Sequence, residues 1–347
     1  MLLNGYTILS IFLCCMRLLL GVLVVVVGQS AWRLSRRTLE AEQTESVENR
    51  SYLLFLSATV LIGLNVVSWP ILYLLLQSYV QEWPTVMCIY GVTQIGAGTV
   101  GSSQYLPALV NGLHWTKPLL VFVSGAGCVL YLINRRTQTG PILNRVLMVL
   151  LLTGAFTVVD SVVEGAYLSI PKKEIRLSGG CCTNTLETVR QTAKFTPQIR
   201  VDEKQRPFLI TAYYSLNLAM IFGLLAHLVF SPRHRNGKWK WPLFVGGLLS
   251  IPVNLLFLVE IASPAILGLP FHHCPYDLIS AAPESLGAVV LFFLGCFSVG
   301  WSFTAGKFGS CDQTRGFLQQ YVSKLLFIAL FGYSSSVLLM SIELLLA

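Results

Sequence analysis

Eight apolar runs constrain this chain more than any other feature, at residues 8–29, 52–80, 116–134, 142–170, 207–231, 242–263, 285–305 and 322–346. Each is near or above the ~20 residues that a helix needs to cross a bilayer. Composition agrees: 54% of residues are hydrophobic and 12% charged, where a soluble domain carries about a quarter charged. In lipid every backbone polar group must be satisfied within the structure, which leaves helices for runs of this kind. The expected fold is all-α, a polytopic transmembrane bundle of eight spans forming a single integral membrane domain over residues 1–347, with the lipid bilayer as its partner. Several runs exceed a perpendicular crossing, so tilt or overhang is expected.

Basic residues give the bundle its sides. Arg33, Arg36, Arg37 and Arg50 follow the first run; Arg135, Arg136 and Arg145 the third; Arg233, Arg235, Lys238 and Lys240 the fifth; Lys307, Arg315 and Lys324 the seventh. By the positive-inside rule these connections are cytoplasmic and both termini lie on the non-cytoplasmic side. The outer connections are then 81–115, 171–206 and 264–284. The long 171–206 connection is the exception, with eight basic residues against four acidic ones, and long loops translocate with little regard to charge. The inner connections are short, so consecutive helices should form antiparallel hairpins. Segment 31–50 looks like a cytoplasmic helical extension. The first run lacks a basic leader and a good cleavage site, and reads as a retained helix with Arg17 inside it. The location implied is a bacterial inner membrane.

The net charge of +8 is dispersed over these short connections, not gathered in a patch interleaved with aromatics, and that excludes a nucleic-acid partner. The GxGxxG match at Gly96–Gly101 lies in an outer connection, without the strand and helix that a dinucleotide site requires.

Nine cysteines are present. Cys88, Cys181, Cys182 and Cys274 fall in the outer connections, where an oxidising compartment would let disulfides tie the loops together. Their neighbours permit a second use. Met87 precedes Cys88, His272 and His273 precede Cys274, and Cys181 and Cys182 are vicinal. Thiolate, thioether and imidazole suit a soft metal, copper(I) above all. Thiol–disulfide exchange is a third use, although no CxxC motif occurs. His114, at the outer edge of the third run, could hold a b-type haem or touch a quinone.

Ionisable groups inside apolar runs are costly and draw functional hypotheses. Asp160 and Glu164 share a helix face by their spacing of four. Arg17, Glu260 and Glu343 lie in the outer halves of their runs. The set reads either as a proton or cation path toward the outer face, or as Arg17 paired with Asp160 or Glu164 to satisfy buried charge.

The vicinal Cys14-Cys15 resembles the cysteine pair in the first helix of mercuric-ion transport proteins. Two residues in an otherwise unlike chain transfer no residue roles. The functions expected are a membrane protein handling a soft, copper-like metal ion or thiols at its outer face, as transporter or assembly factor; a non-catalytic subunit of a respiratory or redox complex, with other membrane or periplasmic subunits as partners; or a quinone-linked thiol–disulfide oxidoreductase.

Overall fold

The computed structural model describes residues 4–35, 41–82, 86, 88–96, 101–137, 140–172, 205–230, 240–269 and 274–347, and the side chains of all of these except 34, 35, 41–51 and 240. Among the described residues every regular element is helical, and eight helices are long and apolar enough to cross a membrane. The chain is a polytopic integral membrane protein. Large apolar side chains such as Leu19, Phe222, Phe331 and Leu338 are exposed, while Arg17, Asn65, Lys117 and Asp160 are buried. Outward apolar faces of this kind meet lipid. The chain divides into two compact units, Met1–Phe195 and Thr196–Ala347.

In the first unit the four spans are Gly5–Ser35, Ala41–Val80, Leu106–Arg135 and Leu143–Ser169. A short helix, Ile89–Thr93, and a 3₁₀ turn, Ser102–Tyr105, fill part of the connection before the third. The third span begins well before residue 116, where the apolar run suggests it starts. Pro107 sits in its first turn, a position where the missing N–H costs nothing. The polar stretch Trp115-Thr116-Lys117-Pro118 reads as a membrane edge in the sequence but lies inside the helix. The second span likewise begins earlier, at Ala41, in line with the helical extension expected there.

The first span packs on the second and fourth, and the third packs on the second and fourth, closing a ring of four. The first and fourth spans run antiparallel in a tight register: Cys14 faces Gly165, Gly21 faces Gly154, and Gly28 faces Leu151. A Cβ at Gly154 would stand 2.9 Å from Val24 Cγ1 and 3.1 Å from the Gly21 carbonyl. Without a hydrophobic drive between helices in lipid, small residues that let backbones approach supply the packing.

The second unit repeats the ring with the spans Arg206–Phe230, Lys240–Phe257 with its continuation, Glu284–Phe308 and Arg315–Leu346. The sixth span continues from Phe257 through a π turn, Leu258–Ala262, into a last α turn, Ser263–Ile266. A short helix, Pro275–Ala281, precedes the seventh. Seventh and eighth spans meet most closely: a Cβ at Gly332 would lie 2.7 Å from the Leu291 carbonyl and 2.9 Å from Gly295 N. Tyr213 and Phe257 stack face to face at 3.7 Å between the fifth and sixth spans.

Candidate functional site: a buried four-charge cluster

The fourth span buries Thr153, Thr157, Asp160, Ser161 and Glu164 along one stripe, so its two carboxylates project into the ring. Two cations from other spans meet them. Arg17 donates through Nη2 to Asp160 Oδ2 and through Nη1 to Glu164 Oε2 at 2.8 Å. Lys117 Nζ, from the third span, donates to Asp160 Oδ2 at 2.9 Å and to Glu164 Oε2 at 2.5 Å. None of the four side chains is more than 2% exposed.

Neutral groups complete the set. Arg17 Nε donates to Asn65 Oδ1 at 3.0 Å, and Asn65 Nδ2 donates to Thr157 Oγ1 at 3.0 Å. Lys117 also donates to Ser68 Oγ at 3.3 Å, and Thr116 Oγ1 donates to Asp160 Oδ1 at 2.5 Å. All four spans of the unit contribute. Two positive and two negative groups sum to zero, which is how a charge survives away from water: desolvation of each ion is offset by close, hydrogen-bonded partners. Counting 1.5 Å per residue, the cluster lies roughly 8 to 18 Å inside the end of the unit where the first span begins.

The two carboxylates are not equivalent. Both oxygens of Asp160 accept hydrogen bonds, Oδ1 from Thr116 and Oδ2 from the two cations. Glu164 receives both cations on Oε2, and its Oε1 accepts no hydrogen bond among the described residues. A proton arriving at the cluster has a vacant lone pair at Glu164 Oε1.

A second polar group closes the same end of the unit. Thr7 Oγ1 and Tyr79 Oη are hydrogen-bonded at 3.0 Å, and Asn4 Nδ2 donates to Ser78 Oγ at 2.9 Å. Lys172, just past the fourth span, donates to the carbonyls of Tyr167 at 2.6 Å and Ile170 at 3.1 Å. Its ammonium lies 4.3 Å from the Tyr167 ring centroid and 5.9 Å from that of Tyr79. Burial pushes its pKa down to about 8.

Of the residues the sequence singles out, Arg17, Asp160 and Glu164 come together. Glu260 and Glu343 belong to the second unit, Glu260 within the π turn. His114 lies within the third span, half-buried, not at its outer edge, because that helix starts at Leu106. Cys88 and Cys274 are buried, and each precedes the first residue of a short helix. Met87, Cys181, Cys182, His272 and His273 lie outside the described residues. The Cys14-Cys15 pair splits between faces: Cys14 is buried and donates to the Ser161 carbonyl at 3.1 Å, while Cys15 is exposed.

Sequence reasoning misses Lys117, the second cation, along with Asn65 and Thr157. A lysine beside Trp115 and Pro118 has the look of an interfacial anchor. The available signal was its position two residues inside the third apolar run.

The second unit holds uncharged polar groups instead. Ser250 Oγ, Cys296 Sγ and Tyr333 Oη meet from the sixth, seventh and eighth spans, with Tyr333 Oη 2.9 Å from Ser250 and 3.1 Å from Cys296. Asn217 Nδ2 donates to Asn254 Oδ1 at 3.2 Å.

Comparison with protein-family models, curated proteins and solved structures gives no match to this chain.

Proposed function

We propose that this chain is a proton-coupled transport protein of a bacterial inner membrane, with Glu164 as the proton acceptor and Arg17, Lys117 and Asp160 as its counter-charges. The observation that carries the reading is a neutral set of four buried ionic groups, drawn from three spans, in which one carboxylate oxygen is uncommitted. Protonation of Glu164 weakens its hold on both cations at once. The contacts between the fourth span and the first and third spans then loosen together, which is what coupling a proton to helix movement requires.

The cargo class rests on the outer connections: a soft, copper-like metal ion or a thiol, bound through Met87, Cys88, Cys181, Cys182, His272, His273 and Cys274. Those side chains are the ligand types that soft ions prefer.

The test uses the full chain in liposomes loaded with a pH-sensitive dye, with silver(I) added outside as a redox-inert stand-in for copper(I). Metal uptake accompanied by a change in internal pH is the expected result, with Glu164→Gln abolishing the pH change. Proton movement unaltered by Glu164→Gln would reduce the cluster to a structural brace.

A further inference from the structure

Outside the first unit, opposite charges also line an opening in the second. Arg206 is the first residue of the fifth span. Glu260 sits in the π turn near the end of the sixth. Between them is a groove of about 260 Å³, lined by Arg206, Ile210, Glu260, Ile261, Pro264 and Ala265. That is far more than the ~10–15 Å³ one water occupies. Arg206 and Glu260 are both half-buried, so each charge is partly stripped of water while still facing the opening.

The π turn is the second observation. Inserting a residue into a helix costs regular hydrogen bonding, and such turns recur at functional sites. Here the distortion falls on the five residues that contain Glu260.

We infer that this groove binds a small zwitterion, amine end first, with its ammonium against Glu260 and its carboxylate or phosphate against Arg206. Two features select that ligand class. A guanidinium presents a planar pair of donors that matches a carboxylate or phosphate, while a carboxylate accepts from an ammonium. The order of the charges then separates a dissolved solute from a lipid. Arg206 marks the mouth, and Glu260 lies six residues before Ile266, about 9 Å along its helix from the end. A zwitterionic phospholipid in the bilayer carries its ammonium outermost and its phosphate deeper, the reverse order. A solute entering from water with its amine leading meets the charges in the right sequence. The apolar walls, Ile210, Ile261 and Pro264, suit the methylenes between its two ends.

The inference is independent of the buried cluster and of the metal reading. Its test is calorimetric titration of the purified full chain with 4-aminobutyrate and phosphoethanolamine, using butyrate and butylamine as singly charged controls. The zwitterions should bind, and each control should bind roughly tenfold more weakly or worse, since each forfeits one charge-assisted pair. Arg206→Gln and Glu260→Gln should each cost a similar factor. Ala265→Trp, which fills the groove without touching either charge, should abolish binding in a chain that elutes normally. Absence of zwitterion binding would overturn the proposal, as would binding indifferent to all three substitutions. Tight retention of phosphatidylethanolamine that 4-aminobutyrate fails to displace would assign the groove to lipid and overturn it as well.

Discussion

The ammonium of Lys117 rests 2.5 Å from Glu164 Oε2, with both side chains buried. A lysine head has three protons, and those of Lys117 are directed to Glu164, Asp160 and Ser68. The guanidinium of Arg17 engages all three of its nitrogens. Every nitrogen of the two cations is thus engaged, while one oxygen of the two carboxylates, Glu164 Oε1, accepts no hydrogen bond among the described residues. That asymmetry makes the cluster's response to substitution depend on which sign of charge is removed.

Arg17→Leu leaves two buried carboxylates facing one cation, and a broken buried pair costs about 3–5 kcal/mol. Removing a counter-charge together with it, in Arg17→Leu/Asp160→Leu, restores neutrality and should recover at least half of that loss. Unfolding of the purified protein in detergent checks both, and a double variant no better than the single one would show that the ions are not balancing each other.

Close helix approach predicts a different class of failure. Gly154→Val must displace Val24 or the backbone of the first span, with contacts at 2.9 and 3.1 Å from the first added carbon. Gly332→Ala meets the backbone of the seventh span at 2.7 Å. Each should cost about 1–3 kcal/mol as overpacking. Gly63→Ala, whose added carbon meets nothing within 4 Å, should be neutral in the same unfolding assay.

Tyr333→Phe removes the hydroxyl shared by Ser250 and Cys296. Stripping partners from buried polar groups costs about 1–3 kcal/mol. Tyr214→Phe removes a part-buried bond to one partner, Ser341, and its loss should be smaller because one group is stripped instead of two. Melting temperatures of the two variants, measured side by side, rank them.

Lys172 gives the unit a pH dependence of defined sign. Its folded-state pKa of about 8 lies below the ordinary value of 10.5. Between these values the unfolded chain holds a proton that the folded chain has released, so stability rises with pH through that window. The contribution is complete above about 10.5 and is lost as pH falls to about 8. Melting curves measured across the window should show the parent chain gaining stability with pH relative to Lys172→Met, and equal slopes in the two would show that Lys172 supplies none of the dependence.

How far the sequence leads depends on what encodes each feature. Span number is written in hydropathy, because a bilayer imposes length and apolarity on each helix separately. The antiparallel hairpins follow from short connections. Asp160 and Glu164 declare themselves through local spacing, and Arg17 through its cost in lipid. Lys117 is different. Its surroundings, Trp115, Thr116 and Pro118, are those of a membrane edge, and only the early start of its helix at Leu106 carries it inward. Asn65 and Thr157 are common residues in membrane helices, and their importance comes from neighbours in other spans. The groove at Arg206 and Glu260 depends on a π turn, for which the residues Leu258–Ala262 have no local pattern.

The partners of Arg17 lie 143 and 147 residues further along the chain. Synthesis therefore makes the cation first and its counter-ions only with the fourth span. Until then the guanidinium has no carboxylate of this cluster, and the apolar stretch from Leu18 to Val27 must hold the first helix in place against that cost. Assembly of the unit has a direction and an end point. A chain halted before Asp160 carries a bare positive charge in lipid, and a finished one does not, so the same residue that anchors the cluster also marks whether it has been completed.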